Sequence, residues 1–262
     1  MYFDLALLGC VLALLHVTLY FFLGYKRLEL VTNAFAVLGL GFTVLQYTAL
    51  YKMPVPPYAS LSGVMLLLAM ALFIGYLAMF LKYKRASVGL FVFPLTVIFV
   101  MISKFSSGIA ATQNEVVVTA WLYIHLPFTI LGTAFFMLST FTGIMYFIQE
   151  RQLKKKNFGV IFRRFPPLDT INRLNNTTLY VGFYTFTIGL LAGVVWMFYS
   201  SGRINIFSPK LVFAILTWII YSSITFYKQL KGMSPKDTAL STIIGFISVL
   251  VTYIGVAYFV MG

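Results

Sequence analysis

Long apolar stretches alternate with short polar breaks along the whole chain. Eight stretches stand out, near 2–24, 30–51, 61–81, 87–103, 118–148, 178–199, 211–227 and 238–260. A hydrocarbon core of about 30 Å is crossed by a helix of about 20 such residues. The breaks collect the charged residues and most prolines, so each stretch reads as one span. The pattern predicts an all-α, polytopic membrane bundle of about eight transmembrane helices, a single domain over 1–262 with no soluble domain of useful size. The first stretch lacks both a basic leading region and a clean small-residue cleavage site. It is therefore expected to be a retained span rather than a removed signal peptide.

Composition agrees: 61% of the 262 residues are hydrophobic and only 10% charged, far from the balance of a soluble domain. The formal charge of +13 would suggest a nucleic-acid partner in a soluble protein. Position changes that reading. Fifteen of the 19 Lys and Arg residues fall in alternate loops: Lys26 and Arg27; Lys82, Lys84 and Arg85; the seven from Arg151 to Arg173; and Lys228, Lys231 and Lys236. Only Lys52, Lys104, Arg203 and Lys210 lie in the other set. Cytoplasmic loops carry such an excess, so both termini are expected to face outward from a cytoplasmic (inner) membrane. The lipid bilayer then accounts for the charge and no nucleic acid is needed. The longest cytoplasmic connection runs from Glu150 to about Asn176, and its Pro166-Pro167 pair before Leu168-Asp169-Thr170 predicts a break followed by a short surface helix. With Lys154, Lys155 and Lys156 it is the natural docking surface for a cytosolic partner, although the same lysines also serve as a topology signal beside anionic lipid.

Enzyme constellations are largely absent. The lone Cys10 can form neither an intramolecular disulfide nor a CxxC pair. The six carboxylates, Asp4, Glu29, Glu115, Glu150, Asp169 and Asp237, all fall at span ends or in loops, so none is paired for acid–base work within the membrane. No P-loop, GxGxxG or HExxH pattern occurs. Intramembrane polar groups are the informative ones, and the two histidines lead. His125 lies near the outer end of the fifth stretch, and helical spacing places it on one face with Thr129, Gly132, Phe136, Ser139 and Gly143. A neutral imidazole at the head of a groove of small residues can ligate haem iron; the alternative is a histidine hydrogen-bonded to a neighbouring helix or to interfacial water. His16 lies deeper, about 21 Å from its outer start against about 10 Å for His125 at 1.5 Å per residue. That difference argues against one shared haem and leaves His16 as a weaker, second iron-ligand candidate or a histidine bonded to a backbone carbonyl. Stripes of small residues, Gly182, Gly189 and Gly193 in the sixth stretch and Ser241, Gly245, Ser248, Thr252 and Gly255 in the eighth, read as helix-packing faces. Asn33 and Gln46 read as packing contacts or pore-lining groups.

The outer segment Ser201-Gly202-Arg203-Ile204-Asn205-Ile206-Phe207-Ser208-Pro209-Lys210 resembles, without a gap, the Trp-Gly-x-x-Trp-x-Trp-Asp-Pro-Lys segment of the cytochrome c assembly family. Gly202, Pro209 and Lys210 stand as in the family, and Phe207 keeps an aromatic ring. Ala214, Thr217, Trp218 and Tyr221 are similar to the following helix of that family. Gly189, Gly193 and Trp196 are similar to the preceding helix, and Gly245-Phe246 with Tyr253-Ile254-Gly255-Val256 to the closing one. The likeness extends back through Leu168-Asp169 and through Trp121 to Gly132, where His125 matches the outward-facing histidine. More weakly, it includes Tyr58 to Ser60 and Phe93-Pro94-Leu95.

That resemblance, to haem-handling membrane proteins of the CcsA and CcmC type, implies a bundle that holds haem at the outer face through His125 and delivers it for cytochrome c maturation, together with maturation partner proteins. Trp121, Gly202, Arg203, Phe207, Pro209, Lys210 and Trp218 would then border the haem, with Arg203 and Lys210 pairing with its propionates and Phe207 packing on the macrocycle. Positions 201, 205 and 207 lack the three tryptophans, Ser208 replaces the aspartate, and the second outer histidine is missing. A haem ligase would be expected to keep these groups, so ligase activity is not expected. The degenerate motif resembles the HemX branch, which implies as alternatives a regulator of haem biosynthesis docking glutamyl-tRNA reductase through the basic 151–173 loop, or a haem exporter.

Overall fold

A computed structural model describes residues 2–53, 56–106, 120–156 and 158–261, with the side chains of residue 59 and of 252–261 outside the description. Among the described residues there are nine α-helices and no strand: α1 Tyr2–Leu23, α2 Lys26–Ala49, α3 Leu61–Tyr83, α4 Gly89–Ser106, α5 Ala120–Lys154, α6 Val160–Arg164, α7 Leu168–Ser201, α8 Pro209–Lys231 and α9 Pro235–Met261. Seven of them, α1 to α5, α7 and α8, are long and apolar enough to cross a membrane among the described residues, and α9 occupies the place of the eighth apolar stretch. The protein is an all-α, multi-pass membrane bundle. It divides into two compact units, Met1–Glu115 with Gln149–Thr170, and Val116–Ile148 with Ile171–Gly262.

Unit 1 is assembled by close backbone approach. α1 buries Ala6, Gly9, Cys10, Ala13, Val17 and Phe21, and α2 buries Thr32, Ala36, Gly39, Thr43 and Gln46 at alternating spacings of four and three. The two stripes meet at Gly9, where a Cβ would lie only 2.7 Å from the Gly39 Cα. In lipid, where burial of apolar surface gives no drive between helices, this van der Waals contact is what small residues supply. α3 starts at Ser60, whose hydroxyl accepts from the Gly63 N–H at 3.0 Å, and ends at Lys84 in the left-handed region (φ 53°). It joins α2 through Tyr76, which donates to Asn33 Oδ1 at 3.1 Å, and α4 through Ser62 and Ser103, 2.8 Å apart. Asn33 is thus a packing contact. Asp4 and Lys104 pair at 2.6 Å, placing the start of α1 and the end of α4 at one end of the unit.

Unit 2 is built on α5, α7, α8 and α9 around Phe136, Leu179, Phe183, Phe186, Tyr221 and Val249. Phe136 and Tyr221 stack with ring centroids 3.5 Å apart. The small-residue face of α5 is a packing seam here, not an open groove. A Cβ on Gly132 would lie 2.7 Å from Phe186 backbone atoms, and one on Gly143 would lie 2.8 Å from the Ala239 carbonyl oxygen. Below its first turns, therefore, this face accepts neighbouring helices and leaves no room for a macrocycle.

The expected short surface helix after Pro166-Pro167 is not separate. Leu168 opens α7, which runs unbroken to Ser201, and the short helix is α6, before the prolines. The polar run from Asp169 to Thr178 looked like surface because its hydropathy is low; Asp169 and Arg173 are exposed, but Asn175 and Thr178 are buried. Asn175 is buried, donates to the Ser139 carbonyl at 2.7 Å and lies 3.2 Å from Thr142 Oγ1 and Thr242 Oγ1. The NH2 of this buried amide is satisfied in this way, while its Oδ1 has no hydrogen-bond partner among the described residues. Lys154 extends the last turn of α5 and pairs with Glu150 at 2.8 Å.

α9 begins in a capping box: the Ser234 hydroxyl accepts from the Asp237 N–H at 3.1 Å and donates to the Asp237 carboxylate at 2.6 Å, with Pro235 in the first helical turn. Ser234→Ala is expected to destabilise the chain by about 1 kcal/mol, seen as a small fall in the thermal midpoint of the detergent-solubilised protein. Ser234→Asp should largely restore it.

Candidate functional site

His125 stands in the second turn of α5, two residues before Pro127. A proline inside a helix removes one N–H from the ladder, and the imidazole near it is free to bond across to a neighbouring helix. The cross-helix bond is present. His125 Nδ1 is 2.8 Å from the Gly189 carbonyl oxygen on α7, and a carbonyl only accepts, so Nδ1 carries the proton. Thr129 Oγ1, one turn below, is 3.2 Å from the same nitrogen. Nε2 is left with the lone pair. A histidine whose Nδ1–H is held by a backbone carbonyl has its tautomer and ring plane fixed, the usual preparation of an Nε2 metal ligand.

α7 shapes the rest of the site with glycine. At Gly189 a Cβ would fall 2.5 Å from Thr129 N and Oγ1, and at Gly193 one would fall 2.5 Å from His125 Nδ1 and 2.6 Å from its Cε1. The half-buried imidazole therefore lies directly on the α7 backbone, in space that a larger residue at 193 would fill. Trp196 completes the wall, its ring parallel to the imidazole (10°) with centroids 6.1 Å apart. Histidine, glycine shelf and tryptophan come together from residues far apart in sequence.

The 201–210 segment follows directly. Gly193 and Ser201 are eight residues apart, about 12 Å along the helix. Gly202, at φ +69°, ends α7 with its N–H on the Phe198 carbonyl at 2.9 Å, a left-handed cap that suits glycine. Ser201 Oγ donates to the Arg203 carbonyl at 2.8 Å. Pro209 opens α8, where its fixed φ and missing N–H are favourable. Thus Gly202 and Pro209 have backbone roles. Arg203, Phe207 and Lys210 are exposed on this connection, Phe207 at 89%. Trp121, one turn before His125, is also exposed. Trp218 is engaged elsewhere: its indole N–H donates to Thr187 Oγ1 at 3.0 Å, and its ring lies 6.2 Å from that of Phe183, clamping α8 to α7. His16 belongs to unit 1, where Nδ1 bonds the Leu12 carbonyl of its own helix at 2.8 Å and the ring packs on Phe35 at 5.0 Å.

Gly189, Gly193 and Trp196 were legible as a packing stripe and through the family resemblance; that Gly189 lends a carbonyl to a histidine depends on which helix lies opposite. Among the described residues no cluster of three or more His, Cys, Asp or Glu exists to hold a metal, whereas a porphyrin supplies four nitrogens and asks the protein for one or two axial ligands. The Nε2 of His125 could serve as one such ligand.

Comparison with known proteins places the chain in a family. The family model described as "Cytochrome C assembly protein" matches residues 1–262. The chain belongs to the cytochrome c assembly family. A protein named "Cytochrome c biogenesis protein CcsA" from Guillardia theta is 25% identical over 202 residues, 69% of this chain and 67% of the relative. One of the same name from Heterosigma akashiwo is 24% identical over 220 residues, 70% of this chain and 68% of the relative. Among solved structures, one titled "Cytochrome c Heme Lyase CcmF" superposes with a TM-score of 0.64 at 16% identity, over 99% of this chain and 48% of its own length. That likeness concerns the fold, and this chain spans about half the length of that protein.

Proposed function

We propose that this member of the cytochrome c assembly family handles haem at the outer face of the inner membrane during cytochrome c maturation, with His125 Nε2 as an axial ligand to the iron of its cargo. The observation that carries the reading is the 2.8 Å bond from His125 Nδ1 to the Gly189 carbonyl, which prepares Nε2 for iron on a shelf that only glycine leaves open. Trp196 holds the ring from one side, and Arg203 and Lys210 supply cations for two propionates. Phe207 and Trp121 offer apolar surface for the macrocycle. The outward placement rests on two supports. One is the fifteen-to-four division of basic residues between loop sets. The other is that α5 carries His125 in its second turn and Arg151 and Lys154 in its last. A site this near the end of a span suits a carrier that receives and passes on its cargo, whereas a permanent redox haem is better served by deep burial.

The purified protein titrated with ferric haem in detergent should develop a Soret band displaced from that of free haem, saturating at one haem per chain. Cells lacking the protein should accumulate less covalently haem-bound cytochrome c, seen by haem staining, and recover it with the wild-type chain. A featureless titration together with normal holocytochrome content in the deletion strain would overturn the reading.

A further inference from the structure

Unit 1 carries a second site at the end away from the Asp4–Lys104 pair, some 20 residues or about 30 Å along α1. A cavity of about 520 Å³ opens there, and Lys26, Lys84, Arg85, Arg163 and Arg164 line it with Glu29 as the one carboxylate. These cations come from three separate segments: the turn between α1 and α2, the turn between α3 and α4, and α6. A basic loop oriented by the membrane needs only to carry charge; it does not need to aim that charge into a shared hollow. Five cations around one small volume repel one another, and Glu29 offsets one of them while its carboxylate is also bonded to the backbone of Ala86. The lining is therefore short of about four negative charges.

The backbone is shaped to permit this convergence. Gly24 takes φ +79°, and a Cβ there would fall 1.5 Å from Arg164 Nη2 and 2.2 Å from its Cζ. Glycine at 24 thus makes the turn and clears the volume that the guanidinium fills. Arg164 is half-buried, unlike the exposed Lys154, Lys155 and Lys156 of the same connection. Lys84 holds a left-handed backbone conformation (φ 53°), with its ammonium 5.8 Å from the Phe80 ring centroid. Phe80 and Tyr20 give the hollow aromatic walls. Arginine forks bind phosphate oxygens in pairs, and lysine adds point charge.

We propose that this cavity is a binding site for a phosphoryl anion, supplied either by the headgroup of an anionic phospholipid or by a soluble phosphate compound. The site is independent of the His125 site, and its success or failure leaves the haem reading untouched.

The test uses the full chain in neutral detergent, with thermal unfolding followed against added phosphatidylglycerol, phosphatidylcholine or sodium pyrophosphate. A rise in midpoint with phosphatidylglycerol but not phosphatidylcholine identifies the lipid source. A saturable rise with pyrophosphate identifies the soluble source. In either arm the R85Q/R164Q variant should need at least tenfold more of the effective probe for the same shift, whereas the K154Q/K155Q/K156Q variant, which removes more charge outside the cavity, should respond as wild type. Should the double variant not fold, K84Q, at an exposed position, should still weaken the response severalfold. The proposal is overturned if neither probe shifts the wild-type protein, if the cavity variants respond like wild type, or if the triple lysine variant loses the response equally.

Discussion

His125→Ala should abolish the displaced Soret band or weaken haem affinity by at least tenfold, with the thermal midpoint of the apoprotein little changed. The two readouts separate because of what the imidazole does. Its Nδ1–H bond to Gly189 is a single cross-helix bond at the outer rim, and such a bond contributes about 1 kcal/mol net. The α5–α7 seam has further contacts at Gly132, Gly182 and Gly189 and keeps them in the variant. The iron ligand has no substitute among the neighbours, since Thr129 and Trp196 offer a weak hydroxyl and an indole N–H that only donates. Free imidazole added to the variant should enter the space on the Gly193 shelf and restore much of the Soret displacement. A purely structural histidine would not be rescued in its spectrum in this way. Equal haem affinity and an identical spectrum in wild type and variant would remove His125 from the site.

The fold was legible because membrane physics is strict about length. Most of the apolar stretches became helices within a few residues of the boundaries that hydropathy sets, as at Leu61–Tyr83 and Pro209–Lys231. The largest displacement was at Leu168, where a polar first third of α7 read as surface. Hydropathy registers that Asn175 is polar, but not that Ser139, Thr142 and Thr242 surround its amide. The site was legible in part for a similar reason. His125 stood out as a costly group in an apolar span, and Gly202 and Pro209 stood out through the family motif, for which the structure now gives backbone reasons. Trp218 and Thr187 could not be joined from sequence, being 31 residues apart on different helices. The glycine shelf was visible as a period, but a period says only that something approaches closely. Whether the neighbour is Phe136, Thr129 or an imidazole is decided by the register of α5 against α7.

That register makes Gly132 a position where substitution should be costly. Gly132→Leu should lower the thermal midpoint sharply, by an amount corresponding to roughly 3 kcal/mol or more, at the upper end of overpacking effects. At Gly132 a Cβ would meet the Phe186 N, Cα and Cβ at 2.7 Å, and backbone atoms cannot turn aside as the end of a side chain can. The α5 and α7 axes must separate, and no hydrophobic gain offsets the loss, because lipid is as apolar as leucine. Gly41→Ala supplies the contrast. A Cβ at Gly41 has nothing within 4 Å, so that substitution should be neutral or stabilise by up to about 1 kcal/mol through helix propensity. Separation at Gly132 should also reach the site two turns away, since His125 and the Gly189 carbonyl face each other across the same seam. The Gly132→Leu chain should therefore bind haem less well even below its own unfolding temperature, while Gly41→Ala binds as wild type. If Gly132→Leu instead melts with Gly41→Ala and retains full haem affinity, the seam does not set the position of His125, and the ring must be held by some other contact.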